Sequence, residues 1–128
     1  MATAAKVYDS NDYAHSLEHV GLRRYVCDVT LDSSYPTGGE ALALATIAPD
    51  CLVLHSVTAM EYGTENGLFP KYDNTNAKLM IFRSETIEYT DSGTETVDVP
   101  TFKEAANTTD FSTLVIRVVA EYKTSITL

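Results

Sequence analysis

One segment near the end of the chain limits the fold more than any other. Leu114, Ile116, Val118, Ala120 and Tyr122 recur at every second position, with Val115, Arg117, Val119 and Glu121 between them. A repeat of two sends alternate side chains to opposite faces of an extended strand, whereas a helix needs apolar residues three or four apart. Apolar side chains on both faces predict a central strand covered on both sides.

The same period returns between Arg24 and Asp32, where Tyr25, Cys27, Val29 and Leu31 share one face and Arg24, Asp28, Thr30 and Asp32 the other. That is the pattern of a half-buried strand. Ser33-Ser34-Tyr35-Pro36-Thr37-Gly38-Gly39 follows, in which Pro fixes φ and the glycines permit positive φ, so the chain turns out of the sheet. Glu40 to Thr46 has good helix formers and predicts one or two helical turns, ended by Pro49. Cys51 to Met60 reads as a buried strand. Leu68 to Tyr72 and Ala77 to Arg83 flank Asp73-Asn74-Thr75-Asn76, and Thr86 to Thr90 and Thr94 to Val99 flank Asp91-Ser92-Gly93. Both arrangements predict hairpins. Pro100 to Asp110 is read as a polar connection.

Short strands separated by turn signals, with at most one short helix, predict an all-β fold: an antiparallel β-sandwich, jelly-roll-like in outline. Residues 1–20 lack sustained alternation and are read as an extended N-terminal arm, with a short helical turn around Tyr13 to His19. Residues 21–128 form the sandwich domain. There is no internal repeat or low-complexity tract.

Charge narrows the function. The chain carries 18 acidic and 9 basic side chains, a net charge of −9, with the basic residues scattered. Nucleic-acid binding rests on neutralising phosphates with Lys and Arg, so DNA and RNA are not expected partners. No apolar stretch approaches the ~20 residues of a membrane-spanning helix, and the first ten residues lack a secretory pattern, so synthesis and folding in the cytosol are expected. Eight Tyr and four Phe, with no Trp, suit half-exposed strand faces and subunit contacts.

Catalytic motifs are weak. His15-Ser16-Leu17-Glu18-His19 matches the H-x-x-E-H order of inverted zinc proteases, in which two His four apart on a helix hold zinc beside a Glu base. A third ligand and a water-excluding scaffold are missing from the pattern, and a solvated helical turn is the simpler reading. His55 lies within a predicted strand and is read as structural. Cys27 and Cys51 fit no metal or redox spacing and are read as buried thiols. Glu85, Glu88, Asp91, Glu95 and Asp98 surround one hairpin but lack the spacing of a calcium loop, and charged edges block unwanted pairing. Asn107-Thr108-Thr109 has glycosylation spacing without a secretory signal, and Gly38-Gly39 lacks the Lys of a phosphate loop. No enzyme activity, cofactor or metal is expected.

The stretch Asp28-Val29-Thr30-Leu31-Asp32-Ser33-Ser34-Tyr35-Pro36-Thr37-Gly38-Gly39-Glu40-Ala41-Leu42 resembles a strand-turn segment of small virion structural proteins of tailed bacteriophages, cyanophages included. Ala77 to Phe82 and Thr109 to Ala120 agree with it. The intervening Ile47-Ala48-Pro49-Asp50 and the Glu61 to Gly67 loop depart from that pattern. The resemblance implies a capsid cement or decoration protein on the exterior of an icosahedral head. Its expected partners are the major capsid protein and further copies of itself, with a trimer favoured. The expected contact residues are Val7, Tyr8, Tyr13 and Leu17 in the arm, Arg23 and Arg24 at its root, and Tyr35 and Pro36 in the turn. A head-surface adhesin gripping host carbohydrate through Tyr62, Tyr72 and Tyr89 is the alternative.

Overall fold

A computed structural model describes the backbone of residues 2–9, 22–61, 67–91 and 95–124, and their side chains except in 86–100. Within these residues the strands are β1 (Thr3–Asp9), β2 (Leu22–Thr30), β3 (Glu40–Ala41), β4 (Val53–Glu61), β5 (Leu68–Asp73), β6 (Lys78–Asp91), β7 (Glu95–Glu104) and β8 (Val115–Lys123), with one helix, α1 (Leu44–Ile47). The fold is the all-β, antiparallel, sandwich-like one that the alternation predicts.

The first sheet runs β1-β2-β8-β4. As expected, β8 is central, pairing with β2 on one edge and β4 on the other. Its inner row, Ile116, Val118, Ala120 and Tyr122, is fully buried, and the outer row is half-buried. Two cross-strand ion pairs mark the outer face: Arg117 meets Asp28 through Nε and a terminal nitrogen at 2.9 and 3.1 Å, and Arg24 meets Glu121. Both pairs join residues directly opposite in the ladder. A one-residue slip would break them and turn the apolar row outward, so polar and apolar patterns set the same register.

The second sheet is organised around β6, a single strand of 14 residues. Its first half pairs with β5 along one edge, Leu68 to Asp73 against Arg83 to Lys78. Along the other edge lie β3, at Leu79 and Lys78, and then β7, from Phe82 onward. Both predicted hairpins are present, and they share this strand. Beyond Arg83 the pairing partner of β6 is β7, in a register that continues to Asp91 opposite Glu95. The core lies between the sheets and joins Cys27 and Val29 of β2, Ile116 and Val118 of β8, and Leu79 and Ile81 of β6.

Besides Pro100 to Glu104, read as part of a connection but belonging to β7, three expectations need correction. Residues 3–9 are not an arm reaching away from the domain but an edge strand of the first sheet, paired from Thr3–Thr30 to Asp9–Tyr25. Ala2 and Ala4 join the core, and Asp9 is buried against Arg23 at 3.4 Å and Lys6 at 3.3 Å. A bulge between Lys6 and Tyr8 interrupts the alternation, which is why the segment does not read as a strand. Second, β4 is an edge rather than a buried strand: Leu52 and Val53 are 59% and 42% exposed. Cys51 therefore precedes the strand and is half-buried. Third, Glu40 and Ala41 extend as β3, so the helix shrinks to α1. The helical turn expected around Tyr13 to His19 lies outside the described residues.

Candidate interaction surface

The turn after β2 is where the sequence resemblance is densest, and its geometry shows what those residues do. Tyr35 points inward and is wholly buried. Its hydroxyl donates to Glu104 Oε1 at 2.8 Å and accepts the Ile81 amide N–H at 3.0 Å. Ile81 lies on β6 between the residues paired with β3 and those paired with β7. One phenol oxygen thus completes the ladder where no strand runs. The same Glu104 oxygen also accepts the Gly38 N–H at 2.6 Å.

Four further contacts clamp the turn onto the segment after β7. The Tyr35 N–H donates to the Thr109 carbonyl at 2.9 Å, and the Thr108 N–H to the Tyr35 carbonyl at 2.7 Å. The Thr37 N–H reaches Asn107 Oδ1 at 3.2 Å, and the Tyr35 ring meets Phe111 edge-on at 5.5 Å. Gly39, at φ +103, passes so close to β6 that a Cβ there would lie 2.9 Å from both the Leu79 carbonyl oxygen and Met80 Cγ. The expectation that Tyr35 contacts another chain is therefore overturned. It is a core residue, and desolvation pushes its phenol well above the ordinary value.

Next to this turn lies a buried carboxyl. Glu40 is 2% exposed; its Oε1 accepts the Asp32 N–H at 3.1 Å, while Oε2 has no hydrogen-bond partner. Burial and the neighbouring Asp32 side chain hold its carboxyl above the ordinary value. A titrating group in this place makes stability depend on pH.

The remaining predicted contact residues divide. Val7 is 42% exposed in the β1 bulge, Tyr8 is half-buried beside it, and Pro36 is exposed on the turn. Arg23, 13% exposed, is held between Asp9 and Asp50. Arg24 is exposed and bound to Glu121 at 2.6 Å and to Tyr8. Tyr13 and Leu17 lie outside the described residues. Val7, Arg24 and Pro36 are exposed and Tyr8 is half-buried, whereas Arg23 is committed to the β1 junction.

A different surface carries the apolar signal. On the outer face of the second sheet, the β5–β6–β7 register places Phe69 opposite Phe82 and Phe102 opposite Ser84. Phe69 and Phe102 are 46% and 66% exposed, and their rings meet at 4.9 Å and 89°. Met80 and Phe82 share this face and are half-buried. Paired exposed aromatics backed by apolar neighbours are the composition of contact surfaces. Sequence reasoning missed the site because Phe69 and Phe102 lie more than thirty positions apart in the chain, in separate strands joined only through β6.

No protein family, characterised protein or solved structure matches the chain.

The described residues offer little for the alternatives. Tyr72, expected as a sugar platform, is 9% exposed and donates its hydroxyl to the Leu42 carbonyl at 2.8 Å. Tyr62 and the side chain of Tyr89 lie outside the described residues, as do His15 and His19. His55 is exposed on β4 beside the bulge between Leu54 and Ser56, not enclosed as its place in a strand suggested. Burial pushes the Cys27 thiol up to about 11, which keeps it protonated and inert, and Cys51 shifts in the same direction for the same reason. Among the described residues no three His, Cys, Asp or Glu side chains gather as metal ligands, and no helix is long and apolar enough to cross a membrane.

Proposed function

We propose that this chain is a virion structural protein, a cement or decoration protein that docks on the outer surface of an icosahedral head and bridges major capsid subunits. The Phe69–Phe102 pair carries the docking part of this reading, because a monomer gains nothing from leaving two packed rings in water. The phage assignment rests on the resemblance of residues 28–42. That segment builds the turn and latch of this fold, the role a scaffold motif needs wherever it recurs.

Burying a fully exposed Phe is worth about 1.5–3 kcal/mol. Two half-exposed rings supply a contact too weak to hold one copy alone. Repetition across a lattice, or assembly into a trimer, multiplies such contacts. A protein that binds only the expanded shell stabilises that shell by mass action. The acidic surface keeps free copies apart until they dock.

The test combines particle analysis with one variant. A cryo-EM map of purified particles should show this domain on the head exterior with the Phe69 face against neighbouring protein. Phe102→Ser should fold normally yet decorate heads at least tenfold more weakly in a sedimentation assay. Particles lacking the polypeptide would overturn the phage reading, and undiminished decoration by the variant would overturn the docking face.

A further inference from the structure

We infer that the open end of the sandwich beside β6 is a binding site for a monocarboxylate on an apolar stem. A cleft of about 380 Å³ opens there between β6 and the segment entering β8. Arg83, Leu68, Phe111 and Leu114 line it, together with Ser84 and Thr113.

Arg83 is the feature that needs explaining. It stands on the inner-face register of β6, following Leu79 and Ile81, directly opposite Leu68. Its Nε, like that of Arg23, is buried without a hydrogen-bond partner, while the residue as a whole is half-buried and lines the cleft. Arg24 and Arg117 are both matched by carboxylates across their ladders, and Arg23 sits between two. Arg83 makes no ion pair among the described residues. A guanidinium that lines an open cleft without an ion pair can be matched by an anion entering from solvent.

The surroundings select the ligand. A guanidinium presents parallel N–H donors that fit a carboxylate in two-point contact. A phosphate dianion fits poorly, because Arg83 is the one cationic residue among the described residues of the lining and Asp110 also borders the cleft. The Asp110 carboxylate stays ionised, since the Ser112 hydroxyl and amide bind it at 2.6 and 2.9 Å and hold it well below its ordinary value. Phe111 and Leu114, both nearly buried, form an apolar floor for a hydrocarbon stem. The volume is at the small end of ligand pockets and suits a short organic acid or the terminal residue of a peptide.

The site is separate from the Phe69 face, and the inference stands whether or not the chain decorates heads. It is tested by NMR amide shifts of the intact protein titrated with hexanoate, hexanamide, N-acetyl-leucine and inorganic phosphate. Hexanoate should produce saturable shifts at residues 67–68, 83–84 and 109–114, with Kd on the order of 1–10 mM. Hexanamide and phosphate should bind at least tenfold more weakly, and Arg83→Met should lose hexanoate binding to the same degree. A preference for N-acetyl-leucine over hexanoate would assign the site to a chain terminus, and the reverse to a free acid. Equal shifts with hexanoate and hexanamide would overturn the proposal on the wild-type protein alone, as would phosphate binding as tight as hexanoate.

Discussion

Replacing Tyr35 with Phe removes one oxygen and keeps the ring, so the Phe111 contact and the packing survive. The oxygen makes two bonds in the core, to Glu104 Oε1 at 2.8 Å and from the Ile81 N–H at 3.0 Å. Losing a hydrogen bond to a charged acceptor costs about 1.5–3 kcal/mol, and a buried N–H left unmatched costs about 1–3 kcal/mol. Glu104 keeps the Gly38 N–H, which offsets part of the first amount. The expected loss is roughly 3 kcal/mol, which for a chain of this size lowers Tm by about 10 °C. Urea denaturation followed by far-UV circular dichroism measures the loss, and amide exchange locates it: Ile81 should lose protection while Leu79, paired with Glu40, keeps it. A loss under about 1 kcal/mol, with Ile81 as protected as before, would refute the claim that this hydroxyl completes the ladder.

Further outcomes follow from the same geometry. Gly39→Ala should destabilise by at least about 2 kcal/mol, read as a fall in the urea midpoint, because its Cβ meets the Leu79 carbonyl at 2.9 Å and φ is +103. Glu40→Gln should raise stability at neutral pH by roughly 1 kcal/mol. The native carboxyl, raised by burial and by Asp32, keeps a proton that the unfolded chain releases near 4.5. Its contribution is therefore full below that pH and falls as pH rises toward the folded value, and the Gln variant should lack this slope in stability measured across pH. Deleting residues 1–9 should leave an unstable, aggregation-prone protein by light scattering, because β2 becomes an open edge, paired only with β8, and the core loses Ala2 and Ala4.

The sequence announced most of the sheet framework and little of the surface. β2 and β8 were legible because Tyr25, Cys27 and Val29 in one and Ile116, Val118, Ala120 and Tyr122 in the other recur at every second position, and the β5–β6 turn because Asp73, Asn74 and Asn76 favour turn geometry. β1 was hidden by two alanines and a bulge at Val7. β4 looked buried because Leu52-Val53-Leu54 is an apolar run, yet an apolar run cannot reveal whether a second strand covers its far edge. Nothing in the turn sequence marks Tyr35, expected at a contact with another chain, as a core residue. Only the three-dimensional neighbourhood of Glu104 and Ile81 shows a gap in the ladder that a phenol fits. Thr108, held at φ 68 by the same latch, carries no signal in the sequence.

The continuity of β6 has a mechanical consequence. Tension applied at the tip of the β6–β7 ribbon travels down one covalent backbone into the strand that β5 and β3 grip from either side. Its hydrogen bonds lie across the direction of pull and would have to break in shear, several together, rather than peel apart singly. A handle built this way transmits force to the whole body instead of tearing off.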